Sequence, residues 1–384
     1  MTTRSASIMA EDNEASSVEE LLQEAKDTHH KRIYLNYKGL AELPRDLVED
    51  DETFRHVQHL YLKRNLLKTL PTNIGNLKGL VELYLHSNSL TSLPDEICNL
   101  TNLQSLDVSN NRLKSLPAAL GQIASLEKLF LPDNLVTELP TELGKLQNLC
   151  IIEASCNQLV CLPVELSHCS RLRSLNLINN QLRWLPRQLT NLGYLEELTV
   201  SGNRLMCLPM DLGLWQENLR TVYVDNNPLL HALPFSLWKK KLGATRCGTQ
   251  ELSREQCRSI HIIKASGLSA ILPPELRVIK DGHEPSREVL PLLELSLAAV
   301  HRSRDKLDLS TLPRSLSDLA AMPTAHCIAP SCNEKPIFTV AWVHLLKLDW
   351  AQPWQCTQES IGFVGLCCSK ECLKTFKKIP VPTF

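Results

Sequence analysis

The stretch "LVELYLHSNSLTSLP", residues 80–94, decides the fold because close copies of it return along the chain. "LQSLDVSNNRLKSLP" occupies residues 103–117 and "LRSLNLINNQLRWLP" occupies residues 172–186. The shared template is L-x-x-L-x-L-x-x-N-x-L-x-x-L-P. Its asparagines recur every 23 residues, at Asn65, Asn88, Asn111, Asn134, Asn157, Asn180 and Asn203. A fixed period of this length predicts an array of stacked structural repeats.

Each template position has a physical reason. Leu83 and Leu85 alternate with polar neighbours, which predicts a short strand with its leucines turned inward. Asn88 carries both a donor and an acceptor, so it can pair backbone groups that stacking buries in the turn. After Pro94, "DEICNLTN" predicts a helical turn on the opposite side of the coil. No single coil can bury its apolar face alone, so the repeats must stack.

This template is the leucine-rich repeat, and it predicts an α/β leucine-rich-repeat solenoid, or horseshoe, followed by a small α+β C-terminal module. The Leu-Pro ending and the period of 23 residues resemble the intracellular Ras-associated type, the Shoc-2-like class. That resemblance implies partner binding in signalling complexes. A horseshoe fold by itself does not imply catalysis.

The irregular ends of the pattern set the predicted boundaries. Ser17 and Glu20 form an S-x-x-E capping box, which predicts a helix that caps the array. The ninth copy ends at Pro234, and the period is lost beyond it. The predicted organisation is a disordered acidic tail (1–16), a capping helix (17–31), nine repeats (32–234), a C-terminal capping segment (235–319) and a zinc-ribbon-like module (320–384).

Composition narrows the class of partner and the compartment. A formal charge of −1 across 384 residues gives no general attraction to nucleic acid or to anionic membranes. No secretory signal and no transmembrane run is visible, so we expect a protein of the cytoplasm, with the nucleus as the other possible compartment. We also expect a monomer. In a reducing compartment the 14 cysteines are free thiols or metal ligands rather than disulfides.

The outward strand positions predict a binding surface on the concave face. Successive repeats place residues there in a ladder, since neighbouring strands lie about 4.8 Å apart. The early repeats offer tyrosines beside basic side chains, which suits an acidic peptide or protein surface. Stacking that only stabilises the sheet is the alternative. The predicted partner-binding residues are Tyr61, Lys63, Arg64, Tyr84, His86, Lys128 and Phe130, and acidic residues follow later at Glu153, Glu197 and Asp225.

The tail carries two cysteine pairs that predict a zinc site. Cys327 and Cys332 bracket a turn, and Cys368 and Cys372 follow a strand-like run and enter a helix-like one. Four thiolates complete the ligand set of a structural zinc, which a small module with a limited core needs. His326 and Cys367 are alternative ligands, and the other interpretation is that the cysteines are ordinary buried free thiols.

Several segments together resemble the leucine-rich repeat-containing protein twenty-eight family. They are "LYLHSN", "YVDNN", "LPRSL", "PIFT" and "CCSKECLKTF". The resemblance implies no catalytic activity. The first cysteine pair in that family is tighter than the C-x4-C spacing of Cys327 and Cys332, so the partnership of these two remains open.

Motifs for catalysis fail at their decisive positions. "HCIAPSCN" has Asn333 where a cysteine phosphatase needs arginine, and "GATRCGTQ" has Thr249 where a P-loop needs lysine. A RING-type ligase needs two zinc sites, and the tail has ligands for one. The sequence therefore predicts a non-enzymatic interaction scaffold or adaptor; the alternative is a subunit of a ubiquitin-ligase or other enzyme complex whose tail engages the catalytic partner.

Overall fold

A computed structural model shows two compact units, Met1–Gln181 and Leu182–Phe384. The structure describes residues 17–49, 52–250, 262–265, 268–276, 278–280, 292–302, 316, 318, 321–347 and 362–378. The predicted disordered tail, residues 1–16, lies outside this set. No helix in the described ranges is long and apolar enough to cross a bilayer.

The first unit opens with helix α1, Val18–Thr28, as the capping box predicts. The Ser17 Oγ accepts the Glu20 N–H at 3.2 Å, and the Glu20 carboxylate accepts the Ser17 N–H at 2.9 Å. Leu22 and Ala25 on its inner face are buried. A short helix, α2 (Arg45–Val48), directly follows Pro44 of the first repeat.

Seven parallel strands of this unit pair in sequence order, each with a buried central residue. They are β1 (Arg32–Tyr34), β2 (His59–Tyr61), β3 (Glu82–Tyr84), β4 (Ser105–Asp107), β5 (Lys128–Phe130), β6 (Ile151–Glu153) and β7 (Ser174–Asn176). The residues that flank each buried centre lie on the opposite side from the core, which we call the open sheet face.

The predicted helical turns are 3-10 helices, and each begins directly after the proline of a Leu-Pro pair. In the first unit they span Thr72–Asn76, Asp95–Asn99, Ala118–Gln122, Thr141–Lys145 and Val164–His168. Proline suits this place because it fixes φ near the helical value and has no N–H to leave unpaired. The leucine core lies between this layer and the sheet.

The template asparagines connect consecutive coils. The Asn111 side chain accepts the Leu90 N–H at 2.9 Å and donates to the carbonyls of Leu85 at 3.1 Å and Val108 at 3.0 Å. Buried turn groups that water cannot reach thereby find partners, which confirms the role predicted for this position.

The second unit continues the repeat with β8 (Glu197–Thr199), β9 (Thr221–Tyr223) and β11 (Lys241–Gly243), which pair in parallel in that order. Two 3-10 helices, Arg187–Asn191 and Phe235–Leu237, belong to these coils. Strand β11 was not predicted, because its segment lacks the leucine and asparagine template.

The tail of this unit is built on a four-stranded sheet with order β10-β18-β17-β14. Its strands are β10 (Ala232–Pro234), β14 (Val278–Lys280), β17 (Val340–Lys347) and β18 (Gly362–Cys367). Because β10 belongs to the ninth repeat, the tail sheet grows directly from the array.

Two small pairs and two helices complete the tail. The pairs join β12 (Ile262–Ala265) to β13 (Leu268–Ile271) and β15 (Ala325–His326) to β16 (Pro336–Ile337). The helices are α3 (Leu292–Arg302) and α4 (Lys370–Phe376), and α4 is the helix-like run predicted to follow Cys368.

Candidate functional sites: an aromatic strand face and a cysteine cluster

Three tyrosines form a stacked column on the open sheet face. The rings of Tyr34 and Tyr61 lie 4.6 Å apart between centroids at 12°, and those of Tyr61 and Tyr84 lie 4.9 Å apart at 5°. The strand register places these residues directly side by side. The predicted ladder is therefore present, and the tyrosines meet along their ring faces.

Glu82 is the residue of this face that sequence reasoning missed. Its Oε2 accepts the Tyr84 hydroxyl at 3.0 Å and lies 2.9 Å from the His59 Nδ1. Burial raises the pKa of Glu82, but the hydrogen bonds from His59 and Tyr84 outweigh it and hold the pKa below its usual value. Burial and the bond to Glu82 raise the pKa of Tyr84 to about 12. A carboxylate thus lies inside the region predicted to be basic.

The basic residues after the strands divide between two rows. Lys63 and His86 continue the open face, one position past the buried leucine that follows each strand. Arg64 instead lies in the turn with a positive φ of 54°, and its guanidinium is 5.5 Å from the ring centroid of Tyr37. Tyr37 is 55% exposed. The structure therefore keeps Tyr61 and Tyr84 together and pairs Arg64 with Tyr37.

Lys128 and Phe130 lie on β5, two strands beyond Tyr84. Asp107 on β4 is the register partner of both Tyr84 and Phe130. Lys128 is exposed, and its charge helps to lower the pKa of Glu82. The predicted binding residues of β5 are thus separated from the tyrosine column by one aspartate.

Two of the later acidic residues have partners within the chain. Glu153 accepts the Asn176 amide at 2.9 Å. Asp225 accepts the backbone N–H and the hydroxyl of Thr245 at 2.8 and 2.6 Å. Each carboxylate connects neighbouring coils of its own unit, so each is less available for a partner than its charge suggests.

The four predicted zinc ligands come together in the tail. The Sγ atoms of Cys327, Cys332, Cys368 and Cys372 all lie within 4.8 Å of one another. Cys368 Sγ is 3.5 Å from Cys332 Sγ and 3.7 Å from Cys372 Sγ. A regular tetrahedron with a Zn–S distance of about 2.3 Å has edges of about 3.8 Å. The cluster therefore has the size of a four-thiolate zinc site.

Local structure places each pair of thiols. Cys327 and Cys332 flank the turn between β15 and β16, and Cys368 and Cys372 lie where β18 gives way to α4. Ser369 caps α4 through a hydrogen bond from the Cys372 N–H at 3.1 Å. A metal-binding thiolate gains from N–H donors, and Cys327 Sγ accepts the Cys368 N–H at 3.4 Å.

Thiol hydrogen bonds within the cluster indicate where negative charge is stabilised. Bonds from the Cys367 and Cys368 side chains, with backbone donors at Cys368 and Ala329, lower the pKa of Cys327 despite its burial. The same bonds raise the pKa of Cys367 and Cys368. By contrast, burial alone raises the pKa of Cys169 in the repeats to about 12, as expected for an inert core thiol.

The two alternative ligands lie outside the group of four. The His326 Nδ1 is 2.8 Å from the Asp211 Oδ2, and the His326 ring meets Trp215 edge-on at 4.5 Å. Asp211 also accepts the His326 N–H at 2.8 Å. Cys367 is fully buried and turns its thiol to Cys327. His326 therefore holds the tail to the array, and Cys367 supports the cluster from behind.

Comparison with known proteins agrees with the repeat. Residues 34–159 match the family model of the leucine-rich repeat region. A plant peptide hormone receptor, RGFR1 in complex with RGF2, is 30% identical over 53% of this chain and 33% of its own, with a TM-score of 0.47.

Two further solved structures are also similar to this chain. A TDR receptor is 32% identical over 50% of this chain and 35% of its own, with a TM-score of 0.46. The leucine-rich repeat domain of the type III effector XopL is 20% identical over 59% of this chain and 79% of its own, with a TM-score of 0.48. This chain spans about a third of the length of the two receptors.

Proposed function

We propose that this chain is a non-enzymatic interaction scaffold or adaptor that binds a protein partner on its open sheet face. The observation that carries the proposal is the column of Tyr34, Tyr61 and Tyr84, which is stacked and turned away from the core. Leucine-rich repeats typically use this face for extended binding surfaces. Large rings with polar tips are the side chains that dominate binding energy at protein interfaces.

The geometry supports binding beyond what sheet stability requires. Stacking with Tyr61 and the hydrogen bond to Glu82 fix the Tyr84 ring before any partner arrives. A fixed ring loses little entropy on binding, which favours affinity. In the proposed complex Tyr61, Tyr84 and Phe130 supply contact area.

The charged residues of the proposed site give the partner its orientation. Lys63, Arg64 and His86 follow the strands of the tyrosine column, and Lys128 lies on β5. We expect them to meet acidic groups of the partner, and charge complementarity of this kind favours specificity and rapid association. We further propose that the chain is a monomer that acts in the cytoplasm or nucleus, by positioning partners and not by catalysis.

The test is capture of partners by the full chain. Tyr61→Ala combined with Tyr84→Ala should weaken capture by about 30-fold, the effect of losing a hot spot worth about 2 kcal/mol. Tyr194→Ala is the matched control, because this tyrosine is 60% exposed and belongs to the second unit. Equal capture by the double variant and the control, with both folded by circular dichroism, would contradict the proposal.

We also propose that the four-cysteine cluster holds one structural Zn²⁺. The support is the fit of the Cys327, Cys332, Cys368 and Cys372 thiols to a tetrahedron, together with the donors around Cys327. Bound zinc would cross-link the turn before β16 to the start of α4. Four protein ligands leave no open position for substrate, which suits a structural and not a catalytic metal.

A further inference from the structure

The open sheet face has a gap beside the tyrosine column. Tyr61 covers one face of the Tyr84 ring, so the other face points along the sheet toward β4. The residue beside Tyr84 on β4 is Asp107, and the next one, on β5, is Phe130. Aspartate is too short to cover an aromatic ring. The column of stacked rings therefore ends at Tyr84, and Asp107 is the residue beside its second face.

The width of this gap suits one flat group. Side chains two strands apart are separated by about 9.6 Å. A planar group in contact with two aromatic side chains needs about 7 Å between them. Two stacked planar groups would need about 10.5 Å, so the space between Tyr84 and Phe130 admits one guanidinium and not two.

The floor of the gap is an acceptor with remaining capacity. The Asp107 Oδ1 accepts the N–H and the hydroxyl of Ser109 at 3.0 and 2.5 Å. Its Oδ2 makes no hydrogen bond to any residue in the described part of the chain. The Glu82 Oε2 accepts the Tyr84 hydroxyl and lies within hydrogen-bond distance of the His59 Nδ1. The Glu82 Oε1 has no hydrogen-bond partner among the described residues.

The charges around the gap leave Asp107 uncompensated. Glu82 has the His59 Nδ1 within 2.9 Å and the charge of Lys128 nearby. Asp107 has no ion pair within the described residues, and its charge contributes to the raised pKa of Tyr84. A cation between the two rings would satisfy the carboxylate and contact the negative face of Tyr84.

We propose that the gap between Tyr84 and Phe130 above Asp107 is a subsite for one arginine side chain of the protein partner. Arginine fits better than lysine because its planar fork stacks on rings and donates to a carboxylate at the same time. The inference rests on the proposed function, because it names the chemical group of the partner that the proposed interface would bind. An arginine here and acidic groups near Lys63 would fix the direction of the partner along the strands.

The test is a ¹H–¹⁵N NMR titration of the full chain with N-acetyl-arginine amide. N-acetyl-citrulline amide is the control probe, because citrulline has the same shape without the charge. We expect saturable shifts at Tyr84, Asp107 and Phe130, with a Kd of about 10 mM for arginine and binding about tenfold weaker for citrulline. Equal shifts from both probes, or shifts confined to other residues, would overturn the proposal.

Two variants make the titration decisive. Asp107→Asn keeps an acceptor for Ser109 and should weaken arginine binding about tenfold, and Phe130→Leu should weaken it as well. Asp95→Asn, in an exposed position of a 3-10 helix, should leave binding unchanged. Unchanged binding in both Asp107→Asn and Phe130→Leu would refute the subsite and leave the proposed function standing. Failure of the proposed function would be seen separately, if Tyr61→Ala combined with Tyr84→Ala captured the partner as well as the wild type does.

Discussion

Replacing Cys368 by serine should remove the metal from the tail and destabilise the second unit. The Cys368 thiol is 3.5 Å from that of Cys332 and 3.7 Å from that of Cys372, and the Cys368 N–H donates to Cys327. Serine keeps the backbone donor and nearly the same volume. It lacks the thiolate that zinc prefers, so the change isolates ligation from packing.

The expected magnitude follows from linkage. A ligand present at about a thousandfold above its Kd stabilises the folded state by about 4 kcal/mol. The metal binds in the unit that spans Leu182–Phe384. For a domain of this size each kcal/mol moves the Tm by about 2–4 °C, so loss of zinc should lower its Tm by about 10 °C.

Differential scanning calorimetry of the full chain, with native mass spectrometry for metal content, measures both quantities. The wild type should carry one zinc, and a strong chelator should lower its Tm to that of Cys368→Ser. Cys161→Ser is the control, since Cys161 is exposed and lies outside the cluster. The reasoning would be refuted if the wild type contained no metal and if neither the chelator nor Cys368→Ser changed the Tm.

Three further changes test the packing that supports the sites. Asn134→Ala should cost about 2–3 kcal/mol in urea unfolding, because it leaves buried turn groups of neighbouring coils unpaired. Glu294→Ala should cost about 2–4 kcal/mol by the same assay, since the buried carboxylate accepts the Phe338 and Thr339 N–H groups at 3.0 and 2.6 Å. Gly365→Ala should lower the Tm through overpacking worth about 1–3 kcal/mol, because a Cβ there would lie 2.6 Å from the Phe376 ring. Effects below about 0.5 kcal/mol in these variants, typical of surface sites, would contradict the contacts described.

The repeat could be predicted because its information is local. Each strand needs a buried leucine between two outward residues, and each turn needs an asparagine, so the pattern is visible in any single copy. The tail sheet was out of reach for the opposite reason. Its strand β10, residues 232–234, pairs with residues 362–364, and neither segment has a sequence feature that identifies the other as its pairing partner.

The sites show the same division. The cluster of four cysteines could be predicted, because two thiol pairs at turns together supply the complete ligand set of a zinc site. The exclusion of His326 depended on Asp211, which lies 115 residues away in sequence. Glu82 was missed because its role depends on contacts with the side chains of His59 and Tyr84. The 23-residue period places Glu82 beside His59, but it does not show that these side chains bond to each other.

Hydroxyl-radical footprinting of the full chain, free and bound to a captured partner, tests the central claim most directly. This method reads side-chain accessibility, and aromatic residues react strongly. Binding at the open sheet face predicts protection of Tyr61, Tyr84 and Phe130, with Tyr194 and Trp215 of the second unit unchanged. Protection confined to residues 321–347 and 362–378, with the tyrosine column still reactive, would contradict it and assign partner binding to the cysteine-rich tail.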